Sequence, residues 1–118
     1  MKNLLRTFSR KWTRGEIDAF VDGAVSHIQK ISRPRRAILF GSALTDHFDE
    51  ASDLDLVLIF ESLEEASQAE KILYRQAHTF PCSIDFLCID EKSFQEKSEI
   101  GGVFWIAARE GRPLPLKP

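Results

Sequence analysis

The stretch AILFGSALTDHFDEASDLDLVLIF, residues 37–60, decides how the rest of the chain is read. It opens on an apolar run that ends at Phe40, turns at Gly41-Ser42, passes through ten polar-rich residues and closes on a second apolar run, Leu54 to Phe60. Both runs have the length and the two-sided hydrophobicity of buried strands. Asp53 and Asp55 stand two residues apart at the start of the second run, and alternate residues of a strand share a face. Two like charges held side by side in apolar surroundings repel and are costly to bury without a cation between them. Oxygen-only ligands select a hard divalent ion, so the pair predicts Mg²⁺ or Mn²⁺.

Working outward, Thr13-Arg14-Gly15-Glu16 has capping-box spacing, and Ile17, Phe20, Val21, Ala24, Ile28 and Ile31 recur at helical period. This predicts a helix over about 15–31, stopped before Pro34. The first strand is expected over Arg35–Phe40 and the second over Asp53–Phe60, with a helical turn and loop between them. Ser62-Leu63-Glu64-Glu65 opens a helix expected over 63–77, with Ala66, Ala69, Ile72, Leu73 and Ala77 inward. The third strand, Ser83–Ile89, sets Asp85 on one face with Leu87 and Ile89, opposite Ile84, Phe86 and Cys88. A short helix or turn follows over 90–98. Helix is then expected over Glu99–Glu110, with Ile100, Phe104, Ala107 and Ala108 as its stripe and Gly111 as its cap. Pro113 and Pro115 allow the tail at most an edge strand. The fold class is α/β (α+β), a small mixed sheet flanked by helices, in one domain over residues 1–118 with a motif-bearing core at 35–113.

Composition narrows the partners. With 43% hydrophobic and 29% charged residues the chain can bury a core, and its net charge of −2 gives no sign of a general nucleic-acid binder. Residues 1–36 hold nine Lys/Arg against three Asp/Glu, whereas residues 37–118 hold seven against fifteen. That asymmetry suits a polyanionic ligand or a charged partner surface. The basic extension over residues 1–14 carries Leu4, Leu5, Phe8 and Trp12 at helical spacing and reads as a short helix packed on the domain or on a partner. Cys82 and Cys88 read as small core residues in a reducing, cytoplasmic setting. No apolar run approaches the length of a membrane span, and a secretory signal is not expected.

Asp85 lies in an apolar strand, as Asp53 and Asp55 do. If the third strand neighbours the second, three carboxylates meet at one sheet end. Such a trio suits two divalent cations and in-line phosphoryl displacement. Gly41 permits close backbone approach to a phosphate, and Ser42 offers a hydroxyl and an amide.

Gly41-Ser42, ten residues, then Asp53-Leu54-Asp55 resembles the GS-x10-DxD signature of the DNA polymerase beta-like nucleotidyltransferases. Asp85, in SIDFLCID, falls where that superfamily carries its third carboxylate. The short chain and its IAAREGRPL ending look like the minimal nucleotidyltransferases of prokaryotes. The resemblance implies that Asp53, Asp55 and Asp85 are catalytic metal ligands, with Asp85 also activating the acceptor hydroxyl, and that Gly41 and Ser42 bind the nucleotide. It implies AMP transfer from ATP with Mg²⁺ (or Mn²⁺), to a helical HEPN-domain toxin that the chain neutralises as its antitoxin. Two other readings stand beside this one: a degenerate transferase acting by contact alone, and a transferase for a small molecule, for which a homodimer could supply the second pocket wall. Many members read GS-x-A-R-G, whereas this chain has Thr45 and Asp46 at the last two positions. A basic residue from elsewhere, such as Arg35, Arg36, Lys71 or one on a partner chain, is then expected to face the phosphates.

Overall fold

A computed structural model describes residues 11–49, 52–80 and 82–118. Helix α1 (Arg14–Ile31) leads into strand β1 (Arg36–Phe40), a 3-10 turn over Gly41–Leu44 and strand β2 (Leu54–Phe60). Helix α2 (Leu63–Arg75), strand β3 (Ile84–Asp90), helices α3 (Glu91–Ser98) and α4 (Val103–Glu110) and strand β4 (Arg112–Leu114) follow. The four strands form one mixed sheet in the order β3-β2-β1-β4. β1 is antiparallel to β2 and β4, and β2 runs parallel to β3. The α+β class expected from the sequence is the class observed.

Both faces of the sheet are covered, which is why β2 is apolar on both sides. On one face Leu54, Leu56, Leu58 and Phe60 pack with Ile17, Val21 and Ile28 of α1 and Ala66, Ala69 and Leu73 of α2. On the other, Val57 and Ile59 pack with Ile38, Phe40, Ile89, Phe94 of α3 and Ala107 of α4. Each fully buried Leu, Ile, Val or Phe among them contributes roughly 1.5–3 kcal/mol.

Local chemistry sets the element ends. Thr13 caps α1 through a complete capping box with Glu16, and Ser62 caps α2 by accepting from the Glu65 amide. Asp90 caps α3 by accepting from the Ser93 amide, and those hydrogen bonds hold its carboxyl below the usual range. The last helix is shorter than its periodicity suggests. It begins only at Val103, after Gly101 and Gly102, both at positive φ, where glycine alone is at ease. Ile100 therefore lies outside the helix and is 83% exposed rather than inward. In α2 only Ala66, Ala69 and Leu73 are buried, and Ile72 and Ala77 face solvent; Ala77 lies beyond the helix, which stops at Arg75 ahead of a 3-10 turn over Ala77–Thr79. Gly111 closes α4 at an ordinary negative φ. Its need for glycine is steric, since a Cβ there would strike the Ala107 carbonyl and the Ile38 side chain. Of the helix expected over the basic opening, residues 1–10 lie outside the described residues, whereas Lys11 is extended, bridged to Asp49, and Trp12 donates its amide to the Phe48 carbonyl.

Candidate active site

The parallel pairing of β2 with β3 fixes the central relation of the site. The register sets Leu54 opposite Ile84, Asp55 opposite Asp85 and Leu56 opposite Phe86. Leu54 and Leu56 point into the core under α1 and α2. Alternation therefore puts Asp55 on the other face, with Val57 and Ile59. Asp85 shares that face with Leu87 and Ile89, as the sequence pattern indicated. Asp53 lies one residue ahead of β2 rather than within it, and is exposed.

The electrostatics follow from this geometry. The Asp55 carboxyl is pushed above its ordinary value, first by burial, then by the charge of Asp85 and then by that of Asp53. The three acidic side chains thus sit close enough to feel one another. Facing carboxylates are a ligand set for a hard divalent cation. Among the described residues no three His, Cys, Asp or Glu side chains are gathered tightly enough to hold a metal ion unaided. An ion here would share its coordination between the carboxylates and the oxygens of a bound substrate, which is how Mg²⁺ is commonly held.

The turn after β1 closes the other side. Phe40 pairs with Asp55, so Gly41 arrives directly beside that carboxylate. Gly41 has φ of +78°, and a Cβ at this position would collide with Asp55 Oδ2. Glycine is required twice over, by conformation and by contact. Ser42, half-buried, follows in the 3-10 turn, and its carbonyl accepts from both the amide (3.0 Å) and the hydroxyl (2.8 Å) of Thr45. Thr45 Oγ1 in turn accepts from the His47 amide at 3.1 Å. Thr45, which replaces an arginine of the resembled pattern, is thus a loop-tightening residue.

Two of the cations expected from elsewhere, Arg35 and Arg36, lie at the far end of β1. Arg36 pairs with Ile59 in the register, at the opposite end of β1 from Phe40, and its guanidinium holds Glu91 at 2.8 Å. Four residue steps along the strand separate it from Phe40, roughly 13 Å. Arg35 donates its amide to Ile59 at that same far end. The arginine that does meet the turn is Arg14, which sequence reasoning missed. Its Nη1 donates to the Ala43 carbonyl at 2.6 Å and its Nη2 to the Thr45 carbonyl at 3.3 Å. Nothing in the local sequence announces a contact across 29 positions.

Tyr74 is the second residue that sequence reasoning missed. It reaches from α2 round the β3 edge, and its hydroxyl donates to Asp85 Oδ1 at 3.1 Å and lies 3.0 Å from the Phe86 carbonyl oxygen. Burial, the Asp85 hydrogen bond and the charges of Asp85 and Glu70 all push its phenol upward. Glu70, one turn earlier, accepts from the Cys88 amide at 3.4 Å. Side chains of α2 thereby occupy part of the otherwise unpaired edge of β3.

Comparison with known proteins adds one positive finding. The sequence model of the family described as nucleotidyltransferase domain matches residues 21–102, a span that contains Gly41, Ser42, Asp53, Asp55 and Asp85. No curated protein and no solved structure gives a match.

Proposed function

Because this chain belongs to the nucleotidyltransferase domain family, we propose that it transfers AMP from ATP to a protein hydroxyl, on a helical HEPN-type toxin that it neutralises in the cytoplasm. The observation that carries the reading is the cross-strand pair of Asp55 and Asp85 with Gly41 pressed against Asp55. In this reading Asp53, Asp55 and Asp85 are the ligands for Mg²⁺ or Mn²⁺. The bound cation would neutralise phosphate charge and lower the barrier to displacement.

The residues have distinct tasks. Gly41, which has no Cβ, and Ser42 bring the backbone of the turn up to the triphosphate. Arg14 holds that turn in shape through two of its carbonyls. Asp85 accepts the proton of the acceptor hydroxyl as its oxygen bonds to the α-phosphorus and pyrophosphate departs. A protein acceptor is supported by Ile100, Val103, Trp105 and Ile106, large apolar side chains left exposed on and before α4. The resemblance to minimal nucleotidyltransferases supports the helical partner and the antitoxin role.

A second reading, neutralisation by contact alone, is favoured by one observation. Thr45 is engaged in the turn, and the nearby Arg14 is committed to carbonyl oxygens. One experiment separates the two. The chain is incubated with labelled ATP, Mg²⁺ and the product of the adjacent gene. Transfer predicts label on the partner that is lost with Asp53→Asn. Contact alone predicts no label and full neutralisation by Asp53→Asn.

A further inference from the structure

The chain holds a hydroxyl of its own on the carboxylate that the proposed reaction would use as base. Tyr74 is the only tyrosine in the sequence. Its hydroxyl donates to Asp85 Oδ1 at 3.1 Å, within the range over which a positioned base takes a proton. The Phe86 carbonyl oxygen, 3.0 Å away, accepts from the same hydroxyl and orients it from a second side. A T-shaped contact with the Phe86 ring steadies the aromatic ring itself, with centroids 6.0 Å apart. The residue is 48% exposed, so the phenol is open to an incoming nucleotide. Gly41 abuts Asp55, Asp55 faces Asp85, and Asp85 holds Tyr74. The turn that would carry a triphosphate and the phenol therefore bracket the same two carboxylates.

We propose that Tyr74 is a self-modification site: the chain nucleotidylates its own Tyr74 hydroxyl. This rests on the nucleotidyl-transfer reading above. The phenol oxygen forms a bond to the α-phosphorus of a nucleoside triphosphate. The bond from that phosphorus to the pyrophosphate oxygen breaks, the phenolic proton passes to Asp85, and pyrophosphate leaves with the charge. The product is a tyrosyl phosphodiester beside Asp85. It no longer donates a proton there, and its negative charge faces the carboxylates, so self-transfer stops after one nucleotide and closes the site to further acceptors.

The test uses the purified full chain with α-labelled ATP and Mg²⁺ and no partner. Calorimetry measures nucleotide uptake, and peptide mapping by mass spectrometry locates any label. The expected result is one nucleoside monophosphate per chain, mapped to Tyr74. Tyr74→Phe should take up nucleotide and lose that label, and Asp85→Asn should lose it with the phenol intact. Mapping the parent chain decides the matter even if Tyr74→Phe fails to fold. Nucleotide uptake with Tyr74 unmodified, or equal labelling of Tyr74→Phe, overturns self-modification. If label then still reaches a partner, the transfer reading survives that failure. Absence of any nucleotide uptake overturns both.

Discussion

Replacing Gly41 by alanine puts a methyl group into the Asp55 carboxylate and forces an L-residue to a φ of +78°. Residues held there cost about 1–3 kcal/mol. Gly41→Ala is expected to lower stability by that order in a denaturant titration, and to weaken nucleotide binding further by pushing Asp55 aside. Asp55 itself carries the opposite sign. Its carboxyl titrates above the ordinary 3.8 because burial, Asp85 and Asp53 all disfavour its charge. The folded chain therefore holds that proton more tightly than the unfolded chain, so ionisation at neutral pH costs stability. Asp55→Asn should melt above the parent at pH 7 without divalent cation. The gap should close as the pH falls towards 3.8. Equal melting temperatures at pH 7 would mean that the carboxylates are not in tension.

At the scale of elements, the side chain that joins helix to sheet is Leu73, fully buried between α2 and the core. Leu73→Ala should cost roughly 2–5 kcal/mol, read as a shift in the denaturation midpoint, whereas Ile72→Ala, at a 37% exposed position, should cost far less. Strands β1 and β2 were legible in the sequence to within a residue, because apolar runs ending in Gly-Ser or beginning at Asp-Leu-Asp allow few alternatives. Helix α1 was equally legible from its capping box. The last helix was not. Ile100 fits the helical period, but Gly101 and Gly102 at positive φ outweigh it by starting the helix afresh at Val103. The site was partly legible. Asp55 and Asp85 follow from strand alternation once β2 and β3 are neighbours. Arg14 and Tyr74 enter only through packing: one from a helix start 29 positions before the carbonyl it holds, the other round a sheet edge.

Across the whole molecule, the sheet order leaves β3 and β4 as edges, and each is guarded differently. Glu70 and Tyr74 occupy β3, while β4 carries Pro113 and covers Ala37–Leu39 of β1. Truncation after Glu110 removes β4 and the Leu114 side chain buried under it. It should lower the melting temperature and promote association through the freed edge, visible by light scattering on warming. No helix among the described residues is long and apolar enough to cross a membrane. The basic character of residues 1–36 divides in space, with Arg14 at the turn and Arg35 and Arg36 at the far sheet end.

The central claim is that carboxylates from β2 and β3 gather a divalent cation with a nucleotide's phosphates. Isothermal titration of ATP into the full chain, with and without Mg²⁺, tests it most directly. Saturable uptake that requires Mg²⁺ and disappears in Asp55→Asn is the predicted result. Uptake that ignores Mg²⁺, or that persists unchanged in Asp55→Asn, would contradict it.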